Sequence, residues 1–243
     1  MPGSVPALSP VARSPCIAAS EVASRALARA MRSASPMIAD AQAAHAKRAV
    51  LADDSFDSLY SALIQSVSRT HWTPVTVARR TAELFRDAGA RRVLDVGSGA
   101  GKFVLTAANA APDVFFVGVE QRHHLIVAAR RARRVLRISN ARFVHGDVTR
   151  TSWNGFDGIY FFNPFGENLL ADHEWIDDSV ELSRARYRED VLRSEHGLRA
   201  ARLGTVVVTF NGCGGKIPSS YELAHTERMS GASLRLWIKK SEG

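Results

Sequence analysis

The stretch Val93-Leu94-Asp95-Val96-Gly97-Ser98-Gly99-Ala100-Gly101-Lys102-Phe103 constrains this chain more than any other. An apolar strand ends in an acid, passes into alternating glycines, and gives way to the helical pattern Phe103, Val104, Leu105, Ala107, Ala108. A strand that turns sharply into a helix, with its backbone close to a bulky ligand, has no room for a Cβ at the turn. Glycine is therefore favoured there. The segment predicts a nucleotide-type ligand outside the carboxyl end of a strand in an open α/β sheet.

Two nucleotide templates fail. A P-loop requires G-x-x-x-x-G-K-[ST]. Gly101-Lys102 fits its end, but Val96 stands where the first glycine belongs and Phe103 where the hydroxyl belongs. A dinucleotide fingerprint requires G-x-G-x-x-G, and here the third glycine position is Lys102. A pyrophosphate also favours a helix N-terminus without a carboxylate just before the turn, where Asp95 sits. An acid suits a ligand that carries an amino group and a sulfonium charge.

Two more strands end the same way. Phe115-Phe116-Val117-Gly118-Val119-Glu120 reads as a buried strand ending in an acid, about 20 residues past the glycines, where a doubly wound fold places a ribose-binding carboxylate. Ala141-Arg142-Phe143-Val144-His145-Gly146-Asp147 is a third. The pattern D-x-G-x-G-x-G, backed by these strand-end acids, resembles motif I of the class I S-adenosylmethionine (SAM)-dependent methyltransferases. The resemblance covers residues 70–240. It implies that Asp95, Gly97, Ser98, Gly99, Gly101, Glu120, Gln121, Asp147, Val148 and Thr73 bind SAM, with Asp147 at the adenine amino group. His71-Trp72-Thr73-Pro74 is similar to the aromatic-Thr-Pro segment that contacts the methionine part of SAM in some of these enzymes.

The same resemblance implies a Rossmann-like, seven-stranded, mostly parallel sheet with helices on both faces and a C-terminal antiparallel hairpin. The residues agree: strands at 92–96, 114–119, 141–145, 156–162 and 204–210 alternate with helices, which gives a mostly parallel sheet. Tyr221 to Arg228 and Ser233 to Lys239 flank the turn Met229-Ser230-Gly231-Ala232. Upstream, residues 38–68 read as amphipathic helix with a break at Asp53-Asp54-Ser55, placing Leu59, Leu63, Ile64 and Val67 on one face. Thr73 reads as an N-cap and Pro74 as the first residue of a helix running to Ala88. These helices are expected to cover the cofactor site. Three regions follow: an extension over 1–37, helices over 38–90 and the SAM-binding domain over 91–243.

Composition restricts the remaining choices. The 243 residues are 46% hydrophobic, normal for a domain with a real core. No apolar run reaches membrane-spanning length. Cys16 and Cys213 are too few for a disulfide framework or zinc site, so a cytoplasmic setting without a bound metal is the simplest reading. Net charge is +8, yet half of the excess lies in residues 1–50 and only five of the 32 cations are lysine. Residues 1–37, rich in Ser, Pro, Ala and Arg, read as disordered. A transit peptide, or a start at Met31 or Met37, is the alternative.

The helix over 121–138 carries Arg122, Arg130, Arg131, Arg133, Arg134 and Arg137 with no acid, opposite a stripe of Leu125, Ala128, Ala129, Ala132 and Val135. Its outer face is a solvated surface or a docking surface for nucleic acid or an acidic protein.

The strand over 156–162 runs into Asn163-Pro164-Phe165-Gly166-Glu167-Asn168. The Asn163 amide oxygen and the Pro164 carbonyl can accept hydrogen bonds from an NH₂ group, and Pro164 offers no competing N–H. Phe165 can stack on a flat acceptor or attract a cation. The segment is similar to motif IV of the amino-methyltransferases, whose usual form is Asn-Pro-Pro-aromatic; here one proline is missing. The resemblance makes Asn163, Pro164 and Phe165 the catalytic set and implies methyl transfer to a nitrogen of a protein, a nucleic acid or a small amine. A non-catalytic SAM-binding sensor or partner subunit is the alternative. Two loops could select the acceptor: the acid-rich stretch Glu167, Asp172, His173, Glu174, Asp177, Asp178, and Asn211-Gly212-Cys213-Gly214-Gly215-Lys216. Cys213 lacks a paired histidine and His145 lacks the partners of a metal site. The acceptor and the oligomeric state are left open.

Overall fold

The computed structural model describes residues 52–242; the expectations for residues 1–51 lie outside them. Three short helices, α1 (Asp53–Asp57), α2 (Ala62–Gln65) and α3 (Ser68–His71), lead into α4 (Val75–Asp87). The alternating unit follows: β1 (Arg92–Val96), α5 (Lys102–Ala110), β2 (Phe115–Glu120), α6 (His123–Val135), β3 (Ala141–His145), β4 (Gly158–Phe162), α7 (Arg184–Ala200) and β5 (Val206–Phe210). The hairpin β6 (Tyr221–Met229) and β7 (Ala232–Lys239) closes it around Ser230-Gly231.

The strands form one seven-stranded sheet in the order β3-β2-β1-β4-β5-β7-β6. β1 pairs in parallel with β2 (Asp95 opposite Gly118) and with β4 (Asp95 opposite Tyr160). β7 inserts antiparallel beside β5, with Val208 opposite Leu236. The order reverses between β1 and β4, so the carboxyl ends of these two strands flank the crevice where an open sheet receives its ligand.

Every residue of β2 is buried, as expected of a parallel strand covered on both faces. On one face, α4, α5 and α6 pack Phe85, Val104 and Ile126 against Val93, Phe116 and Tyr160. On the other, Leu198 of α7 and Trp153 cover Leu94, Val117, Ile159 and Val207.

Asp53-Asp54-Ser55 begins α1 after the extended Ala52; acids in a first turn complement the helix dipole. Three local expectations change. Leu63 is 81% exposed, while Leu59, Ile64 and Val67 pack on the core. Thr73 does not cap α4. Its hydroxyl shares a 2.9 Å hydrogen bond with the Tyr160 hydroxyl, and the Val75 N–H donates to Asp53 Oδ1 at 3.0 Å. On α6 the buried stripe is Leu125, Ile126, Ala129 and Ala132, and Val135 is exposed.

Candidate active site

A cavity of about 340 Å³ opens at the carboxyl ends of β1, β2, β3 and β4, within the range of small-ligand sites. Gly97 and Gly99 wall it on one side, Glu120 and Gln121 at the end of β2, Asp147 and Val148 after β3, and Asn163, Pro164 and Phe165 after β4. Nine of the thirteen residues singled out from sequence thus meet in one space. Asp95, Thr73 and Ser98 line a smaller adjoining cavity together with Tyr160. Gly101 lines neither. It has φ +88°, and a Cβ there would lie 2.6 Å from the Phe143 ring and 3.0 Å from Ala129. Its absent side chain lets α5 sit against α6 and β3, which is a packing role.

The turn is tied down by the next strand. The Gly99 N–H donates to Glu120 Oε2 at 3.0 Å, and the Arg122 N–H donates to Glu120 Oε1 at 2.9 Å. Burial raises the Glu120 carboxyl above its ordinary value, and these backbone donors oppose the rise. Asp95 is 4% exposed. Burial raises its carboxyl well above the usual range, and the charge on Glu120 adds to this. Two buried acids that resist ionisation together are poised for a ligand bearing positive charge.

The β1 turn and the β4 loop touch: a Cβ on Gly97 would come within 3.3 Å of Pro164 Cβ. Asn163 has φ +39°, and its N–H donates to the Gly212 carbonyl at 3.1 Å. Gly166 leaves room for the Asn163 amide, since a Cβ there would collide with Nδ2. The β5 loop backs this segment, with Gly214 against the Phe165 ring and its carbonyl accepting from Tyr187 Oη at 2.6 Å. Cys213 is buried, which pushes its thiol pKa up; it is a packed loop residue.

The N-terminal helices reach the glycine turn. Tyr60 Oη donates to the Ala100 carbonyl at 2.9 Å, and the Tyr60 ring meets Trp72 edge-on. Lys102, next to the glycines, is buried and bridges Asp53 and Asp57, each at 2.7 Å. A P-loop lysine must reach phosphate, and this one points into a carboxylate pair.

Arg122 falls by sequence pattern on the outer face of its helix, yet the side chain is 4% exposed. Its guanidinium binds Glu167 Oε1 at 2.9 Å and Asp177 Oδ1 at 3.0 Å. The Ile176 N–H also donates to Glu167 Oε1, at 2.7 Å. Burial alone would raise the Asp177 carboxyl; hydrogen bonds from Ser179 and Arg122 outweigh it and hold it below its ordinary value. Two acids of the acid-rich stretch thus tether it to the cavity wall. Asp147 is likewise occupied, with Oδ1 accepting from Thr149 and Oδ2 from Arg150 and Arg186. His71, from the segment before α4, also lines the cavity. Burial lowers its pKa. His145 is a neighbour of the site, its Nε2 2.8 Å from the Gln121 carbonyl. No cluster of metal-ligating side chains occurs among the described residues.

Sheet order, the terminal antiparallel insertion and the cavity at the switch point define the class: a Rossmann-like fold of the methyltransferase type. Residues 87–182 match a family profile described as a methyltransferase domain. A structure of an RNA methyltransferase from Salinibacter ruber, in complex with S-adenosyl-L-homocysteine, has a TM-score of 0.51 at 19% identity, covering 70% of this chain and 95% of that one. An O-methyltransferase from Bacillus cereus reaches 0.51 at 13% identity, covering 78% and 93%. A tRNA (guanine-N(7)-)-methyltransferase from Microcystis aeruginosa is 40% identical over 55 residues, 23% of this chain and 26% of the relative. The chain spans about a quarter of the length of the curated relatives it matches.

Proposed function

We propose that this chain is a SAM-dependent methyltransferase acting on a nitrogen of a nucleic-acid base. The observation that carries the reading is the meeting of the Gly97 turn with Asn163-Pro164 at the point where sheet order reverses. The donor set fits SAM on charge as well as on size: buried acids stand at the strand ends, and the one lysine beside the glycines is committed elsewhere. The matched methyltransferase profile supports the same reading.

SAM, when bound, supplies an electrophilic methyl group on a sulfonium. The protein's share is alignment and electrostatics. Gly97 and Gly99 leave room for the ligand, and Glu120 and Asp95 favour its positive charge and its hydroxyls. Asn163 and the Pro164 carbonyl hold the acceptor's N–H groups so that the lone pair faces the methyl, and Phe165 lies beside the flat base. His71, kept neutral by burial, can take the proton that the methylated nitrogen releases.

A nucleic acid is favoured over a basic protein because Glu167 and Asp177, acids that would greet a cationic acceptor, are already tied up by their shared ion pair with Arg122. The tRNA methyltransferase relatives point the same way. The test uses labelled SAM with purified protein and fractionated extract, digested separately with nuclease and with protease. Label released by nuclease supports the reading. Label released only by protease assigns a protein acceptor, and SAM binding without label in any fraction leaves the sensor. Asn163→Ala is expected to bind SAM normally and to lose turnover about a hundredfold.

A further inference from the structure

We propose that the exposed arginine face of α6, continued by Arg137 and Arg142, is the docking surface for the RNA that carries the methyl acceptor. The inference rests on the nucleic-acid reading above and adds where, and by which part of the molecule, the polymer is held.

Between Glu120 and Asp147 the chain has seven arginines, three histidines and no acid. Arg130, Arg131, Arg134 and Arg137 are exposed, and Arg142 lies on β3, the sheet's edge strand. Arg130 and Arg133 donate to the Phe143 and Ile138 carbonyls, which fixes their positions. Arg133 is depressed by burial and then by the charge on Arg142, a sign that like charges are crowded here. Among the described residues, none of these six arginines pairs with a carboxylate, whereas Arg186 and Arg193 on α7 do. A cationic surface held in place without counter-charges is built for a polyanion.

Its placement selects the kind of polyanion. The N-cap of α6 is Arg122, in the cavity wall. His123, Arg130 and Arg134 then follow one exposed line at helical spacing, and the exposed Arg137 lies just past the end of the helix. The helix is about 20 Å long, enough to pass several successive phosphates. A nucleic acid with one base in the cavity has its neighbouring phosphates within reach of this line. Arginine suits phosphate through its planar donor fork. An anionic membrane would need apolar anchorage as well, and α6 exposes only the separate Val127 and Val135.

The test compares two variants of equal net charge. Arg131→Gln/Arg134→Gln/Arg137→Gln removes three charges from the face. Arg228→Gln/Arg235→Gln/Lys240→Gln removes three exposed charges from the hairpin region at the opposite edge of the sheet. Thermal melts check that both are folded. The probe is an unmodified tRNA transcript, titrated by fluorescence anisotropy over a range of salt. The face variant is expected to bind at least about tenfold more weakly at 0.1 M salt. Its log–log salt slope should fall by about 2, from three lost phosphate contacts. The hairpin variant should stay within about threefold of the natural sequence. Equal weakening in both variants, or none in the face variant, overturns the proposal. So does patch-dependent binding to phosphatidylserine vesicles with no binding to tRNA. Calorimetric SAM binding is measured in parallel. If SAM fails to bind while tRNA docking still depends on the face, the methyltransferase reading falls and the docking surface stands.

Discussion

The glycines after β1 do not all do the same job, and alanine substitution can separate Gly101 from Gly99. Gly101→Ala forces a Cβ to within 2.6 Å of the Phe143 ring at φ +88°. The left-handed backbone costs about 1–2 kcal/mol, and overpacking a closed site costs about 1–3 kcal/mol. A loss of about 3 kcal/mol corresponds to a Tm drop of roughly 6–12 °C for a domain of this size. Gly101 lines no part of either cavity, so the folded fraction should keep its SAM affinity. Gly99→Ala is the converse. Its φ is +52°, in the left-handed region, and nothing lies within 4 Å of the added Cβ. Stability should fall by only about 1 kcal/mol. The new methyl, however, stands in the cavity wall that Gly99 forms, and SAM affinity should fall roughly tenfold or more, about 1.4 kcal/mol. Differential scanning fluorimetry reads stability, and calorimetry reads binding on the same samples. The assignment of roles is wrong if Gly101→Ala abolishes SAM binding at an unchanged Tm, or if Gly99→Ala binds SAM like the natural sequence.

Two further perturbations probe the frame around the cavity. Arg122→Met leaves the Glu167 and Asp177 carboxylates without their cation; it should cost about 2–3 kcal/mol, somewhat less than the loss of a fully buried partner. Hydrogen exchange at the Ile176 amide should quicken as well, and unchanged protection there would show that the tether holds nothing. Lys102→Met should lower stability by about 2–3 kcal/mol for the same reason and loosen α1. Chymotryptic cleavage at Phe56 or Tyr60 that is no faster than in the natural sequence would contradict this.

The fold was legible because its signals are local and periodic. Glycines at 97, 99 and 101, acids at the ends of three apolar runs, and a tight turn at Ser230-Gly231 each act within a few residues of themselves. What stayed hidden depends on long-range partners. Arg122 reads as one more charge on a basic helix, and only Glu167 and Asp177, 45 and 55 residues away, make it a buried hub. Asp147 reads as free to meet a ligand, but Arg186, 39 residues on, already holds it. Asp53 reads as part of a helix break, and beyond starting α1 it caps α4 and clasps Lys102. Gly166 left no trace because the space it preserves is for the Asn163 side chain. Charge and small size are visible in a sequence; what they answer to is not.

The buried acids make one more demand, and its sign is fixed. Burial, and then their mutual repulsion, raises Asp95; burial raises Glu120 against the pull of backbone donors. Each unfolded carboxyl titrates near pH 4. Above that pH, and below the raised folded values, the native protein holds protons that the unfolded chain has lost. The stability of the ligand-free protein from this pair is therefore greatest at low pH and is lost as pH rises through the folded values. SAM binding runs the other way. A ligand carrying a sulfonium and an amino group prefers the ionised acids, so it must expel a bound proton at low pH. Its affinity should rise up to about tenfold per pH unit in that window and level off above it. Asp95→Asn should flatten both slopes, raising ligand-free stability near neutral pH while weakening SAM. Calorimetry in two buffers of different ionisation enthalpy counts the proton directly. SAM affinity that is flat from pH 5 to 8 in the natural sequence, or a full slope retained in Asp95→Asn, would remove Asp95 from the ligand's electrostatics and leave it a structural acid at the end of β1.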